Sequence, residues 1–120
     1  MSEESLYDRL GGHDALVALA TTTFNNHCSN ELVKNRYINS DSKDVIRLVG
    51  EFMCAGFGGK EAYTGKDMLT THTGMNISEE EFNAVVDDVM KALDTHQAGQ
   101  REKDEVLAAL WSMRKEIVHV

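Results

Sequence analysis

A chain of 120 residues, 42% hydrophobic and 27% charged, has the length and composition of one globular domain. The formal net charge of −8 argues against nucleic acid or an anionic membrane surface as a partner. No apolar run approaches the roughly 20 residues of a membrane span, and the acidic start MSEESLYDRL is unlike a signal peptide. We therefore expect a single domain over residues 1–120, located in the cytoplasm, with reduced thiols at Cys28 and Cys54.

Helical periodicity dominates the chain from end to end. Short helical turns are predicted at 3–9 and 30–37, and long amphipathic helices at 13–28, 42–57, 79–95 and 103–118. Ser78 and Glu81 have the spacing of a capping box at the start of the third long helix. Because the sequence has no proline, glycines must supply most of the breaks. Sustained alternation of period two is absent from the sequence, which predicts an all-α fold.

The segment 58–77, GGKEAYTGKDMLTTHTGMNI, departs from this regular pattern. A long irregular segment inside a small domain is usually functional or disordered. Its interleaved apolar side chains, Tyr63, Met68, Leu69, Met75 and Ile77, favour a loop anchored on an apolar surface. The segment also contains a histidine, His72, just ahead of the capping box.

His72 has two interpretations on residue chemistry alone. A lone histidine is more often an exposed or hydrogen-bonded residue than a ligand, and the five histidines show neither HxxxH nor HExxH spacing. Nor does either cysteine form a zinc-type pattern with them, so no metal site made only of protein ligands is predicted. Haem, however, needs one protein nitrogen and an apolar pocket, which a loop-borne imidazole beside apolar helices would provide.

Three stretches, in this order, resemble one known family. SLYDRLGGHDAL at 5–16, FMCAGFGG at 52–59 and AYTGKDMLTTHTGMNIS at 62–78 are similar to the opening, the second glycine motif and the proximal-histidine segment of the group I truncated haemoglobins. The resemblance implies a two-over-two sandwich of antiparallel helices around haem b, with His72 as the proximal iron ligand. The neighbouring threonines are then expected to bond to nearby carbonyls and orient the imidazole.

The resemblance also implies the rest of the haem pocket. The expected haem-contact residues are Phe24, Tyr37, Val45, Leu48, Val49, Phe52, Tyr63, Met68, Thr71, Met75, Ile77, Phe82 and Val85, with Leu107 as a further candidate. Simple core packing is the alternative for each apolar member. Tyr63 is a candidate hydrogen-bond donor to a propionate, and Arg36 or Arg47 a candidate ion-pair partner, with a plain surface role as the alternative for the arginines.

The distal positions depart from the family's usual pattern. Members commonly carry a tyrosine on the second helix and often a glutamine on the distal helix, both of which donate hydrogen bonds to the dioxygen ligand. The matching positions here are Phe24 and Val49, with Val45 and Leu48 beside them. We therefore expect an apolar distal pocket and a ferrous iron without an internal sixth ligand.

The function implied by the resemblance is reversible binding of dioxygen or another diatomic ligand, carbon monoxide or nitric oxide, with oxygen transport as one use. Nitric oxide dioxygenation, with a reductase as partner, and a sensor or electron-transfer module are alternatives. A haem-free helical interaction domain is an alternative from a different class. The expected assembly is a monomer or weak dimer.

Overall fold

The computed structural model describes residues 4–120 as a helical protein. The helices are α1 (Leu6–Arg9), α2 (His13–Ser29), α3 (Ser42–Gly56), α4 (Met68–His72), α5 (Glu79–Thr95) and α6 (Gln100–Ser112), with 3₁₀ helices at Lys34–Tyr37 and Arg114–Glu116. No strand occurs between residues 4 and 120, where the β-type contact is an isolated bridge between Ile77 and Val118. The all-α prediction is confirmed. Within the same range, every helix is too short or too polar to cross a bilayer.

Four long helices enclose the main core. α2 packs against both α3 and α5, and α5 packs against α6, which confirms the predicted two-over-two arrangement. The buried side chains of this core are Leu16, Leu19, Ala20, Met53, Cys54, Val89, Ala92, Leu93 and Val106. A second, smaller cluster consists of Ile77, Phe82 and Val86. Burial of these apolar side chains is the main favourable contribution to folding.

Three of the four long helices begin and end within one residue of their predicted bounds. The start of α5 shows why: the Glu81 amide donates to Ser78 Oγ at 3.1 Å, and the Ser78 amide donates to Glu81 Oε1 at 3.2 Å. This reciprocal pair is the predicted capping box. α3 begins after Asp41, whose carboxylate accepts the Lys43 amide at 3.0 Å.

The prediction of the fourth long helix at 103–118 is wrong at its C-terminal end. α6 stops at Ser112, a 3₁₀ turn follows, and the last residues run beside the segment that follows α4. The His119 amide donates to the Ile77 carbonyl at 2.9 Å, and the Gly74 amide donates to the Val120 carbonyl at 3.1 Å. A continued helix would carry the C-terminus away from these acceptors and donors. Local periodicity cannot detect this long-range pairing.

The two short predicted turns are also shorter than expected. In the turn predicted at 30–37, the 3₁₀ helix begins at Lys34. A hydrogen-bonded turn precedes it, in which the Lys34 amide donates to the Asn30 carbonyl at 2.8 Å. The turn predicted at 3–9 is helical from Leu6 to Arg9. Residue 3 lies outside the described part of the chain.

The two glycine motifs join the N-terminal turn to the end of α3. The Tyr7 amide donates to the Phe57 carbonyl, and the Gly59 amide donates to the Cys54 carbonyl, both at 2.8 Å. A Cβ at Gly59 would lie 2.6 Å from the Tyr7 ring and 2.8 Å from the Cys54 carbonyl oxygen. Only a residue without a side chain permits this approach, which places Tyr7 directly over the turn after α3.

A buried polar pair links α2 to α5. His27 Nδ1 lies 2.7 Å from Asp88 Oδ2, and both side chains are buried. Burial lowers the pKa of His27, and it outweighs the opposing effect of Asp88. The His27 ring stacks on Tyr37 at 5.2 Å between centroids. The folded protein therefore favours the neutral imidazole at this position.

Replacing Gly59 with alanine tests the close approach to Tyr7. The added methyl has no room against a ring and a backbone carbonyl, so we expect the Gly59→Ala variant to lose about 1–3 kcal/mol of stability in urea unfolding. Gly56→Ala is the matched control, since a Cβ there meets nothing within 4 Å. Equal stability of the two variants would contradict the packing described.

The His27–Asp88 pair predicts a pH dependence of stability. A lowered folded-state pKa means that stability is fully present above the ordinary imidazole pKa of 6.5 and falls as the pH drops below it, by at most about 1.4 kcal/mol per pH unit for one proton. His27→Gln should remove this part of the slope, measured by urea unfolding at a series of pH values. His96→Gln, at an exposed histidine, should retain it. An unchanged slope in His27→Gln would refute the assignment.

Candidate functional site

His72 lies at the end of the short helix α4. Asp67 begins this helix, because its Oδ1 accepts the Thr70 amide at 2.7 Å. The helix has five residues, so it forms one turn within the otherwise irregular segment between α3 and α5. Its helical geometry places the His72 side chain beside the carbonyl of the residue four positions earlier.

One hydrogen bond determines the tautomer of His72. Nδ1 lies 2.8 Å from the carbonyl oxygen of Met68. Because a carbonyl only accepts, Nδ1 must carry the proton, and the neutral ring then presents the lone pair of Nε2. Within residues 4–120, Nε2 has no hydrogen-bond partner. The partly buried imidazole is thus oriented as a metal ligand requires.

The neighbouring threonines bond to carbonyls, as predicted, but not to the ring. Thr73 Oγ1 donates to the Leu69 carbonyl at 2.6 Å, and Thr71 Oγ1 donates to the Lys66 carbonyl at 3.3 Å. The predicted bonds to carbonyls are therefore confirmed. The ring itself contacts the Met68 carbonyl, and an effect of the threonines on its orientation, through the backbone of the turn, stays a prediction.

Arg36 holds the backbone that follows His72. Its guanidinium donates to the Met75 carbonyl at 3.0 Å and makes a bidentate pair with Glu81, at 2.5 Å and 2.9 Å. This pair lowers the pKa of Glu81 to about 2, so the carboxylate stays charged at physiological pH. The turn before α3, the His72 segment and the start of α5 are thereby connected through one side chain.

The predicted distal residues form one face of α3. Positions 45, 48, 49 and 52 follow the i, i+3, i+4, i+7 spacing of a single helical face, and all four side chains are only partly buried. A different set on the same helix, Gly50, Met53 and Cys54, is buried in the structure. The face formed by Val45, Leu48, Val49 and Phe52 is thus apolar along its length and incompletely covered by protein.

Aromatic contacts connect further predicted residues in pairs. The rings of Phe52 and Tyr63 meet edge to face at 5.3 Å, and those of Phe24 and Tyr37 at 5.7 Å. Phe24 is buried, and burial raises the pKa of Tyr37 to about 12. The Tyr37 hydroxyl makes no hydrogen bond to any residue between 4 and 120. Tyr37 is therefore a polar group beside Phe24 that the sequence interpretation did not consider as a donor.

The remaining predicted contact residues differ in burial. Ile77 and Phe82 are buried together in the second cluster, on which Leu107 also packs. Val85 and Met68 are partly buried, whereas Thr71 and Met75 are exposed. Burial of Ile77 and Phe82 agrees with simple core packing, and their contact with a cofactor stays a prediction.

The three candidate propionate partners are engaged within the protein. Tyr63 donates its hydroxyl to the Lys66 carbonyl at 2.7 Å. Arg36 is held by Glu81 as described above, and Arg47 lies 3.1 Å from both Glu51 and Thr64. Arg47 is exposed and paired with neighbours on its own helix, so it has the greatest freedom to contact a further anion.

The residues present fit a haem group in two respects. A neutral imidazole offers an unpartnered Nε2, and an apolar helical face offers partly exposed aliphatic and aromatic side chains. These are the two components that haem requires of a protein.

Four features escaped sequence interpretation. Two of them are contacts of the backbone, which no residue pattern predicts: the hydrogen bond that the Met68 carbonyl accepts and the pairing of the C-terminal residues with the segment after α4. The Asp67 cap could have been recognised from the Asp-x-x-Thr spacing. The fourth feature is a cluster of three possible metal ligands, in which His13 from the start of α2 meets Cys54 and Glu61.

Comparison with known proteins agrees with this geometry. The family model for bacterial-like globins matches residues 5–119. A group 1 truncated hemoglobin of Tetrahymena pyriformis is 28% identical over 90 residues, covering 75% of this chain and 74% of that protein. The group 1 truncated hemoglobin GlbN of Mycolicibacterium paratuberculosis is 27% identical over 113 residues, covering 94% of this chain and 83% of that protein.

Solved structures show the same fold. A tyrosine-to-phenylalanine variant of the Tetrahymena pyriformis truncated hemoglobin, in the Fe(III) form, superposes with a TM-score of 0.94 at 25% identity, covering 98% of this chain and all of that one. The 2/2 hemoglobin of a Synechococcus species has a TM-score of 0.90 at 22% identity, covering 96% and 98% of the two chains. We conclude that the chain belongs to the bacterial-like globin family, within which it is similar to the group 1 truncated haemoglobins and shares their two-over-two fold.

Proposed function

We propose that this globin binds haem b through Nε2 of His72 and reversibly takes up dioxygen or another diatomic ligand. Membership of the globin family implies haem binding. The observation that carries the finer proposal is the His72–Met68 hydrogen bond, which leaves Nε2 free to donate its lone pair. When bound, haem would supply the iron that takes up the small ligand.

The protein's own contribution begins with the imidazole. A hydrogen bond to Nδ1 fixes the ring orientation and raises the basicity of Nε2. The backbone around His72 is constrained on both sides, by the Asp67 cap before it and by Arg36 at the Met75 carbonyl after it. A ligand held in this way needs little reorganisation to bind a metal.

The apolar face of α3 would form the ligand side of the pocket. Val45, Leu48, Val49 and Phe52 offer no hydrogen-bond donor and exclude water from a small ligand. No histidine, lysine or methionine belongs to this face, so we propose a five-coordinate ferrous iron. Phe24 adds a further apolar side chain where many relatives have tyrosine.

Reversible binding is favoured over nitric oxide dioxygenation by this lack of donors. Hydrogen bonds to a charged group contribute about 1.5–3 kcal/mol, which corresponds to roughly 10- to 100-fold in an equilibrium constant. Without them, dioxygen dissociates sooner and leaves less time for reaction with nitric oxide. Single-turnover nitrate formation, measured after mixing with nitric oxide, discriminates between the two functions.

Replacing His72 with glycine tests the proximal ligand. The visible spectra of the ferric, ferrous and carbonmonoxy forms should lose the features of an imidazole-bound haem, and added imidazole should restore them. His119→Gly is the control, since this histidine lies on the C-terminal tail and contacts Asn76. Unaltered spectra in His72→Gly, or equal changes in the control, would disprove the assignment.

Replacing Phe24 with tyrosine tests the apolar pocket. A donor beside the dioxygen ligand should slow its release by about 10- to 100-fold, whereas carbon monoxide release should change little. Stopped-flow measurement of both off-rates separates the two effects. Phe57→Tyr, outside the proposed pocket, is the matched control.

Replacing Tyr37 with phenylalanine tests whether its hydroxyl donates a hydrogen bond to the dioxygen ligand. Its hydroxyl lacks a partner among the described residues and lies near Phe24, so it is the alternative donor. The proposal predicts that Tyr37→Phe leaves dioxygen release nearly unchanged. A slow wild-type off-rate that Tyr37→Phe accelerates, and Phe24→Tyr does not slow, would contradict the apolar pocket.

A further inference from the structure

Three side chains of the kinds that bind metal ions meet at the side of α3 opposite its apolar face. His13, Cys54 and Glu61 each offer one donor atom, and the three atoms all lie within 4.8 Å of one another. They come from three places: the start of α2, the end of α3 and the segment after it. The fold brings His13 to the other two ligands, because it is far in sequence from Cys54 and Glu61.

Hydrogen bonds already orient the members of this cluster. Glu61 Oε2 accepts from the Tyr7 hydroxyl at 2.8 Å and lies 3.0 Å from His13 Nδ1. These contacts, with the Tyr7 bond first, lower the pKa of Glu61 to about 2, so the group is a carboxylate at physiological pH. The cluster therefore presents a permanent negative charge beside an imidazole and a thiol.

The thiol is the most buried member. Cys54 is 1% exposed and packs in the main core, with its sulfur toward Glu61. Burial and the neighbouring carboxylate raise its pKa to about 11. A cation beside the sulfur would oppose this shift, because it would compensate the charge of a buried thiolate next to a carboxylate.

We infer that His13, Cys54 and Glu61 form a binding site for a zinc ion, with the fourth coordination position open to solvent. One nitrogen, one sulfur and one carboxylate oxygen are a ligand set that zinc accepts in tetrahedral sites. Zinc ligands in such a site lie roughly 3.5 Å apart, as tetrahedral geometry with zinc–ligand bonds of about 2.0–2.3 Å requires. The three donor atoms lie within 4.8 Å of one another, so they must move closer together to bind an ion. His13, with 57% of its side chain exposed, can make this movement.

The proton balance of binding is simple. The Cys54 thiol loses its proton to solvent and binds as the thiolate. His13 binds through Nδ1, so the proton now on that atom is replaced by one on the exposed Nε2. Glu61 is ionised beforehand and exchanges its contact with His13 for one with the ion. One proton is therefore released for each zinc ion bound.

The surroundings favour such a site. The Gly59 turn and the Tyr7–Phe57 hydrogen bond fix the backbone that carries two of the ligands. A bound ion would tie α2, the end of α3 and the following segment together, and would stabilise the folded state because the unfolded chain does not preassemble the site. The net charge of −8 also attracts divalent cations to the protein.

Zinc chloride added to the chelator-treated, haem-loaded protein tests the inference. We expect one zinc ion per chain in a competition titration, release of one proton, and a higher thermal unfolding midpoint. X-ray absorption at the zinc edge is not affected by iron and should show one sulfur at about 2.3 Å with nitrogen or oxygen neighbours at about 2.0–2.2 Å. Absence of stoichiometric zinc, or a zinc shell without sulfur, overturns the site.

Variants separate this site from adventitious surface binding. His13→Ala and Glu61→Gln alter partly exposed side chains and should weaken zinc binding at least tenfold, while the haem spectrum stays unchanged. Cys54→Ser should remove the sulfur shell. Cys28→Ser and His96→Ala are the matched controls, and both should retain wild-type affinity. If His13→Ala and Glu61→Gln bind zinc as the wild type does, the ion is held elsewhere and the inference fails.

Discussion

The hydrogen bond between His72 Nδ1 and the Met68 carbonyl is the contact on which the proposed haem site depends. It spans one turn of a five-residue helix, and it fixes both the ring's orientation and the nitrogen that carries the proton. A longer helix is not required for this geometry, since donor and acceptor are four residues apart. A brief helical turn in an irregular segment is therefore sufficient to present Nε2 as a ligand.

A turn this short has little stability of its own, because isolated helices of a few residues do not persist in water. Contacts from distant parts of the chain compensate for this low intrinsic stability of α4. The tail bonds to the backbone at Gly74 and Ile77, and Arg36 bonds to the Met75 carbonyl while it pairs with Glu81. The residues that follow His72 are thus held from two sides, which explains how an irregular segment can maintain a defined imidazole position.

Sequence patterns predicted three of the four long helices closely because each has a continuous apolar stripe. Side-chain caps at Asp41 and Ser78 also mark the starts of α3 and α5. The patterns failed where long-range contacts override local preference: Ile117 continues the stripe of α6, yet it packs on the second cluster after the helix has ended. Motif resemblance selected His72, but no pattern identifies a backbone acceptor such as the Met68 carbonyl. Spacing rules likewise missed His13, Cys54 and Glu61, since only the tertiary fold brings them together.

Resonance Raman spectroscopy of the ligand-free ferrous protein, prepared with and without nitrogen-15 histidine, tests the central claim most directly. Five-coordinate, high-spin iron is expected, with an iron–nitrogen stretching band that moves to lower frequency on labelling and is missing from protein that lacks the His72 imidazole. A six-coordinate, low-spin ferrous spectrum, or a band that labelling does not shift, would contradict ligation by His72 opposite an apolar pocket.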